Sequence, residues 1–181
     1  MNCNPFTYGH KYLIEKALEQ VDFLIIFVVE EDKSFFTFNT RFRCIREGIK
    51  DLENILLVPS GSFVLSNQTF PEYFVKVRDA NLKDNIEYDL ELFGKYIAPK
   101  LNIKCRFVGE ELEDDVTNEY NKLMKKILPK YDIDIIEIPR KKIDNNTISA
   151  SKVRKLLENN QYDKLDDYIP EATKEIIFEE Q

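Results

Sequence analysis

The stretch Phe23-Leu24-Ile25-Ile26-Phe27-Val28-Val29 is apolar at every position and rich in β-branched and aromatic residues. A strand of that composition has no face to offer water, so it is expected inside a parallel sheet with helices on both faces. The rest of the chain keeps the same rhythm. Strand-like stretches Ile55 to Val58, Lys104 to Val108 and Ile133 to Ile138 alternate with helical patterns from Tyr8 to Leu18, about Thr40 to Lys50, Ile86 to Ala98 and Thr117 to Leu128. With a short apolar stub at Met1 as the first strand, these βα units predict a Rossmann-like, doubly wound parallel sheet of five strands. Pro59 to Asn85 is the least regular part, with a short helix expected around Tyr73. The loop Pro139 to Thr147 feeds a helix at Ser149, and short helices near Tyr162 to Tyr168 and Glu171 to Glu179 complete a C-terminal helical tail over about 149–181. At 181 residues, one domain covering 1–181 is the natural reading.

Composition removes several function classes. Basic residues number 26 against 33 acidic ones, a net charge of −7, and no basic stripe compensates, so neither nucleic acid nor a membrane surface is an expected partner. Cys3, Cys44 and Cys105 are odd in number and widely spaced, which reads as reduced cytoplasmic thiols with no disulfide frame and no zinc site. The longest apolar run is too short to cross a bilayer, and no signal peptide is expected at the start.

Chemistry concentrates at two helix starts. His10, the single histidine, stands in Asn4-Pro5-Phe6-Thr7-Tyr8-Gly9-His10, where a turn and a glycine open an amphipathic helix. The free N–H groups and the positive dipole end of such a start attract anions, Gly9 admits a phosphate close to the backbone, and His10 can donate a ring N–H to it. The bland alternative is a surface or capping histidine. Near the other end, Thr147-Ile148-Ser149-Ala150-Ser151-Lys152-Val153-Arg154 brings two hydroxyls to a second helix start with Arg154 one turn on. Ser149 or Ser151 is an N-cap in the bland reading and a ligand of the outer phosphates of ATP in the other. In a doubly wound sheet, ligands bind outside the carboxyl ends of the strands, where both starts and Gly109 are expected to converge.

Thr7-Tyr8-Gly9-His10 resembles the T/H-x-G-H motif of the nucleotidylyltransferase superfamily, and Ile148-Ser149-Ala150-Ser151-Lys152-Val153-Arg154 its I-S-x-S-x-x-R partner. Asn2-x-Asn4-Pro5-Phe6-Thr7-x-Gly9-His10, Thr69-Phe70-Pro71-x-Tyr73-Phe74, Arg106-Phe107-Val108-Gly109-Glu110 and Val116-Thr117-Asn118-x-Tyr120-Asn121 together resemble the citrate (pro-3S)-lyase ligase family over nearly the whole chain. That resemblance implies a nucleotidylyltransferase fold and an acid–thiol ligase activity: acetate is adenylylated by ATP with release of pyrophosphate, and the acetyl group passes to the thiol prosthetic group on the acyl-carrier subunit of citrate lyase. It places catalytic His10, Thr7 and Arg154, together with Asn4, Pro5, Phe6, Gly9, Lys11, Ile148, Ser149 and Ser151, around the phosphates, and Gly109 and Glu110 beside the adenosine. Mg²⁺ is implied with the triphosphate, held by phosphates and water rather than by a protein metal site.

Family members also carry an acyltransferase-like domain ahead of the first motif. The present sequence is expected to lack it and to enter its first strand late. Two alternatives stay open: an adenylyl- or cytidylyltransferase acting on a small phosphate ester such as pantetheine phosphate, and a non-catalytic nucleotide-binding module. Arg41 divides evenly between a phosphate ligand and packing on Phe38. Glu30-Glu31-Asp32 and Glu110 to Asp115 read as solvated acidic loops rather than metal sites, and most of the loop aromatics as packing residues.

Overall fold

The computed structural model describes residues 1–31, 34–75, 80–111, 114–143 and 146–179, which divide into two compact units, Met1–Pro59 with Arg140–Gln181 and Ser60–Pro139. In the first unit Thr7 caps α1 (Tyr8–Leu18), and the all-apolar run becomes β1 (Leu24–Val28). Thr37 accepts the Thr40 N–H at 3.2 Å and so opens α2 (Phe38–Gly48), which returns the chain to β2 (Ile55–Pro59). β1 and β2 pair in parallel, with Leu24 opposite Ile55 and Val28 opposite Pro59. Met1 runs beside the end of β1, taking the Val29 N–H on its carbonyl at 2.9 Å and donating its ammonium to Phe27 O.

In the second unit the irregular stretch contains α3 (Glu72–Val75), the short helix expected near Tyr73. It is followed by α4 (Leu82–Leu92), which runs through a π-turn at Phe93–Ile97, then β3 (Cys105–Gly109), α5 (Asp115–Ile127) and β4 (Asp134–Ile138). β3 and β4 are parallel, with Cys105 opposite Asp134 and Gly109 opposite Ile138. Back in the first unit, β5 (Lys142–Ile143) and β6 (Asn146–Thr147) make a short antiparallel pair inside the expected loop, ahead of α6 (Ala150–Glu158), a 3₁₀ segment at Tyr162–Asp167 and α7 (Glu171–Glu179).

The α/β class with parallel strands is as expected, but the strand bonding is not that of one five-stranded sheet. Among the described residues each parallel sheet has two strands, β1–β2 and β3–β4. Apolar runs announce buried parallel strands without naming their neighbours, because pairing is a long-range choice that no local pattern encodes. The C-terminal tail is also part of the interior. Ile176 joins the cluster of Phe6, Ile14, Ile26, Val28 and Ile45, while Ile177 joins that of Val153, Leu156, Leu157, Leu165 and Ile169. Adjacent residues of α7 therefore seal two apolar clusters of the same unit.

Of the acidic runs, Asp32 and Glu113 lie outside the described residues. Asp114 acts locally, its carboxylate accepting the Thr117 N–H at 2.7 Å and capping α5. A cap of this kind contributes about 1 kcal/mol.

Candidate functional site

Thr7 has an extended backbone (φ −130°, ψ 166°), and its Oγ1 accepts the His10 N–H at 3.3 Å. His10 reciprocates: its Nδ1 accepts the Thr7 N–H at 3.1 Å and lies 2.9 Å from Thr7 Oγ1. This is a capping box with histidine in the place usually held by Glu or Gln. An Nδ1 that accepts a backbone N–H leaves the proton of a neutral ring on Nε2. Burial above all, then the Met1 ammonium and Arg140, push the His10 pKa down to about 4. At neutral pH the side chain is thus an uncharged imidazole with a defined tautomer and one N–H to give. Phe6, fully buried, stacks on it with ring centroids 5.9 Å apart. That ring fits because Gly48 has no side chain: a Cβ there would stand 2.4 Å from Phe6 Cε1.

The second start is built in the same way. Ser149 is extended (φ −134°, ψ 146°) and its Oγ accepts the Lys152 N–H at 3.3 Å. Ile148 before it is buried, and its N–H goes to Lys141 O at 3.1 Å.

The structure brings the two starts together. A Cβ on Gly9 would lie 3.1 Å from Ile148 O and 3.5 Å from Ile148 Cβ, so α1 approaches the Ile148–Ser149 turn at a distance that suits glycine. Arg154 spans the remaining gap, donating from Nη1 to Asn4 O at 2.5 Å and from Nη2 to Ser151 Oγ at 3.1 Å. Burial works against the charge on Arg154, a cost that a neighbouring anion relieves.

Counting donors narrows the expectation that helix N–H groups act as a set. Tyr8 N–H is taken by Tyr168 O at 2.9 Å, His10 N–H by Thr7 Oγ1, and Lys11 N–H by Thr7 O at 3.0 Å. Gly9 N–H has no partner among the described residues, and neither do the N–H groups of Ala150 and Ser151. Three backbone donors, the His10 Nε2–H and the Arg154 cation therefore belong to adjoining helix starts. That set suits a polyphosphate.

Other candidates are placed elsewhere. The Lys11 ammonium sits on both oxygens of Asp51 at 2.8 Å, an ion pair away from the motif residues. Arg41 is fully buried and bonded to backbone carbonyls, which decides the even choice left by the sequence in favour of structure. Asn4 and Pro5 shape the turn, joined by a cis peptide, and Asn4 Oδ1 accepts the Phe36 N–H at 3.0 Å.

The sequence does not single out Arg140, Lys141 or Lys152. Lys141 Nζ lies 5.8 Å from the centroid of Tyr8, and Lys152 Nζ lies 4.8 Å from that of Tyr168. The available signal is a clustering of basic residues on both sides of Ile148–Ser149. A cavity of about 550 Å³ adjoins Tyr8, but Asp166, Glu171 and Glu175 line it and make it unsuited to phosphate. Among the described residues no three His, Cys, Asp or Glu side chains converge on a metal site, and no helix is long and apolar enough to cross a membrane.

Gly109 and Glu110 belong to the second unit, at the end of β3. Gly109 O accepts the Asn121 Nδ2–H at 3.1 Å, and Glu110 N–H goes to Ile138 O at 2.9 Å. Behind them the remaining motif residues form a buried network. Tyr120 donates its hydroxyl proton to Asp89 Oδ2 at 2.7 Å and accepts from Arg106 Nη2 at 3.1 Å, while Thr69 Oγ1 and Leu65 N–H both donate to Asp89 Oδ1, at 2.6 and 2.9 Å. Phe70 stacks flat on Tyr120 at 5.3 Å, and Arg106 lies 4.7 Å from the Phe93 centroid. Burial raises the Tyr120 pKa, which keeps its hydroxyl a donor.

The family model described as the citrate lyase ligase C-terminal domain matches residues 1–177. The chain is 46% identical over 180 residues to a citrate (pro-3S)-lyase ligase of Haemophilus influenzae, covering 96% of this chain and 53% of that protein. It is 36% identical over 183 residues to the Klebsiella pneumoniae protein of the same name, covering 99% and 54%. A more distant likeness is to a phosphopantetheine adenylyltransferase of Campylobacter hominis, 29% over 91 residues, covering 49% and 57%. The chain thus spans about half the length of the curated ligases it matches. With both helix-start motifs adjoining in one unit, and with the family model covering nearly every residue, the chain belongs to the citrate lyase ligase C-terminal domain family.

Proposed function

We propose that this chain is the nucleotide-activating part of a citrate (pro-3S)-lyase ligase, a single nucleotidylyltransferase-like domain that takes MgATP and acetate as substrates. An acetate oxygen attacks the α-phosphorus, the bond from that phosphorus to the bridging oxygen breaks, and pyrophosphate leaves. The acetyl adenylate then meets the thiol of the prosthetic group on the acyl-carrier subunit of citrate lyase; sulfur bonds to the acetyl carbon, AMP departs, and the thiol proton is released. The observation that carries this reading is the contact of the two helix starts, with open N–H groups at Gly9, Ala150 and Ser151.

Within it, the His10 Nε2–H serves the α-phosphate, where charge accumulates in the transition state, and Thr7 holds the ring in its tautomer. Ser149, Ser151 and Arg154 serve the β- and γ-phosphates; to do so Arg154 exchanges its bond to Asn4 O for a phosphate oxygen. Lys11 is the weakest of these phosphate candidates, because its ammonium is paired with Asp51 and would have to leave it. The adenosine role of Gly109 and Glu110 follows from the family resemblance, and the five-stranded sheet from the repeated βα pattern of the sequence. Mg²⁺ enters as the counter-ion of the triphosphate, held by phosphates and water.

Acetate-dependent exchange of labelled pyrophosphate into ATP tests the reading. Exchange is expected with acetate and absent without it. ATP binding without exchange would leave only a nucleotide-binding module, and pyrophosphate release driven by pantetheine phosphate would make the chain an adenylyltransferase of phosphate esters.

A further inference from the structure

Arg41 is the bulkiest of the fully buried side chains among the described residues, and its guanidinium is committed to three separate pieces of chain. Nε donates to Phe36 O at 3.1 Å, and Nη2 to Glu31 O at 3.0 Å. Nη1 reaches Val29 O at 2.8 Å, and Asn2 O and Asn2 Oδ1 at 2.9 Å each. It therefore ties α2 to the segment after β1, to the aromatic loop and to the turn that precedes the T-x-G-H motif. The aromatic loop is tied to that turn a second time, through Phe36 N–H on Asn4 Oδ1 at 3.0 Å. Asn4 is the residue whose carbonyl receives Arg154, and Thr7 with its His10 cap lies three residues on.

We propose that Arg41 is a positioning residue of the nucleotide site, holding the Asn2–Asn4 turn so that the Thr7–His10 cap at the start of α1 stands in register with Arg154 and the start of α6. The functional half of this claim rests on the reading given above; the structural half stands without it. Lysine cannot substitute, because one ammonium on a flexible stem does not reproduce a planar fork that bonds three segments at once. Reaching the phosphates directly would require Arg41 to abandon five oxygen acceptors in the interior. A displacement of the turn by even about 1 Å is enough to misalign an in-line attack.

The test uses Arg41→Lys and Asn2→Ala, with Ile177→Ala in the second apolar cluster as a control that loses stability without touching the turn. Each is assayed well below its own Tm for ATP affinity, for pyrophosphate exchange and for the Cε1–H resonance of His10, which has no other histidine to overlap it. Arg41→Lys is expected to displace the His10 resonance in the nucleotide-free protein and to weaken ATP binding about ten-fold or more, Asn2→Ala to do both to a smaller degree, and Ile177→Ala to do neither. A folded Arg41→Lys protein with the native resonance and native affinity overturns the proposal, as does an Ile177→Ala protein that reproduces the losses. Should Arg41→Lys fail to fold, Asn2→Ala decides the question alone. Should the native chain bind no ATP, the functional reading fails while the His10 resonance still judges the positioning claim.

Discussion

In the first unit the starts of α1 and α6 hand most of their donors to Thr7, Ser149 and Tyr168, yet Gly9, Ala150 and Ser151 keep N–H groups uncommitted among the described residues. In the second unit Asp89 takes the Tyr120 and Thr69 hydroxyls and the Leu65 N–H, Arg106 donates to Tyr120, and within that network only Arg106 Nη1 is left over among the described residues. Both sets come from segments that carry the family likeness. The difference is that a closed network holds a fold in place, whereas a capped helix start with spare donors has binding capacity left for something that is not protein. A motif in a sequence marks both kinds of place in the same way.

The comparison breaks most visibly at His10. Replacing it with alanine should lower acetate-dependent exchange by about 10² to 10³-fold, the usual worth of one hydrogen-bond donor aimed at transition-state charge. The stability cost should be about 1 kcal/mol, that of half a capping box. Exchange assays beside urea titrations check it, and equal losses in both would make His10 no more than a cap.

The second unit should answer in the opposite sense. Asp89→Ala strands the Tyr120 hydroxyl, the Thr69 hydroxyl and Leu65 N–H in the interior and should cost about 3 kcal/mol by chemical denaturation. ATP affinity of the folded protein should be unchanged; a weakened affinity would show that this network serves the ligand as well.

Acidification gives an intermediate effect. The His10 pKa is near 4 in the folded chain against an ordinary 6.5, so between those values the unfolded chain holds more protons and folding is disfavoured. The contribution of His10 is complete above pH 6.5 and is lost as pH falls from there to about 4. Its NMR titration should show a midpoint near 4 and none near 6.5, and added ATP should move the midpoint upward.

Gly9→Ala should change stability by no more than about 1 kcal/mol, because the gain in helix propensity offsets crowding against Ile148 O. It should weaken ATP binding nonetheless, and calorimetry that finds native affinity would remove Gly9 N–H from the site. Lys11→Ala is the smallest effect, below about 1 kcal/mol for an ion pair whose Asp51 side chain is 60% exposed, with exchange preserved. A large loss of exchange would return Lys11 to the phosphates.

Those expectations mirror what is legible in the chain itself. The caps at Thr7 and Ser149 are legible because a cap, a small residue and an amphipathic run lie within one helical turn. So are the four longer strands, each marked by its own apolar run. Nothing local shows that Lys11 belongs to Asp51, forty residues on, or that Arg154 reaches back to Asn4. The pairing of strands is hidden for the same reason, and so is the burial of Arg41, since arginine after an aromatic loop reads equally as an exposed ligand. What stays invisible is each place where a side chain chooses between partners distant along the chain.

The bond from Tyr8 N–H to Tyr168 O carries a consequence for how the protein is made. Residues 60–139 are contiguous, so the second unit can form on the ribosome as soon as that stretch emerges. The first unit is written in two instalments, and the earlier one, with the T-x-G-H motif, must wait through the whole second unit before 140–179 supplies its Ile148 neighbour, its Arg154 strap and its Tyr168 cap. Nascent chains that stop short of that last instalment carry the histidine without the second helix start, so the two motifs can meet only after residues 140–179 have emerged.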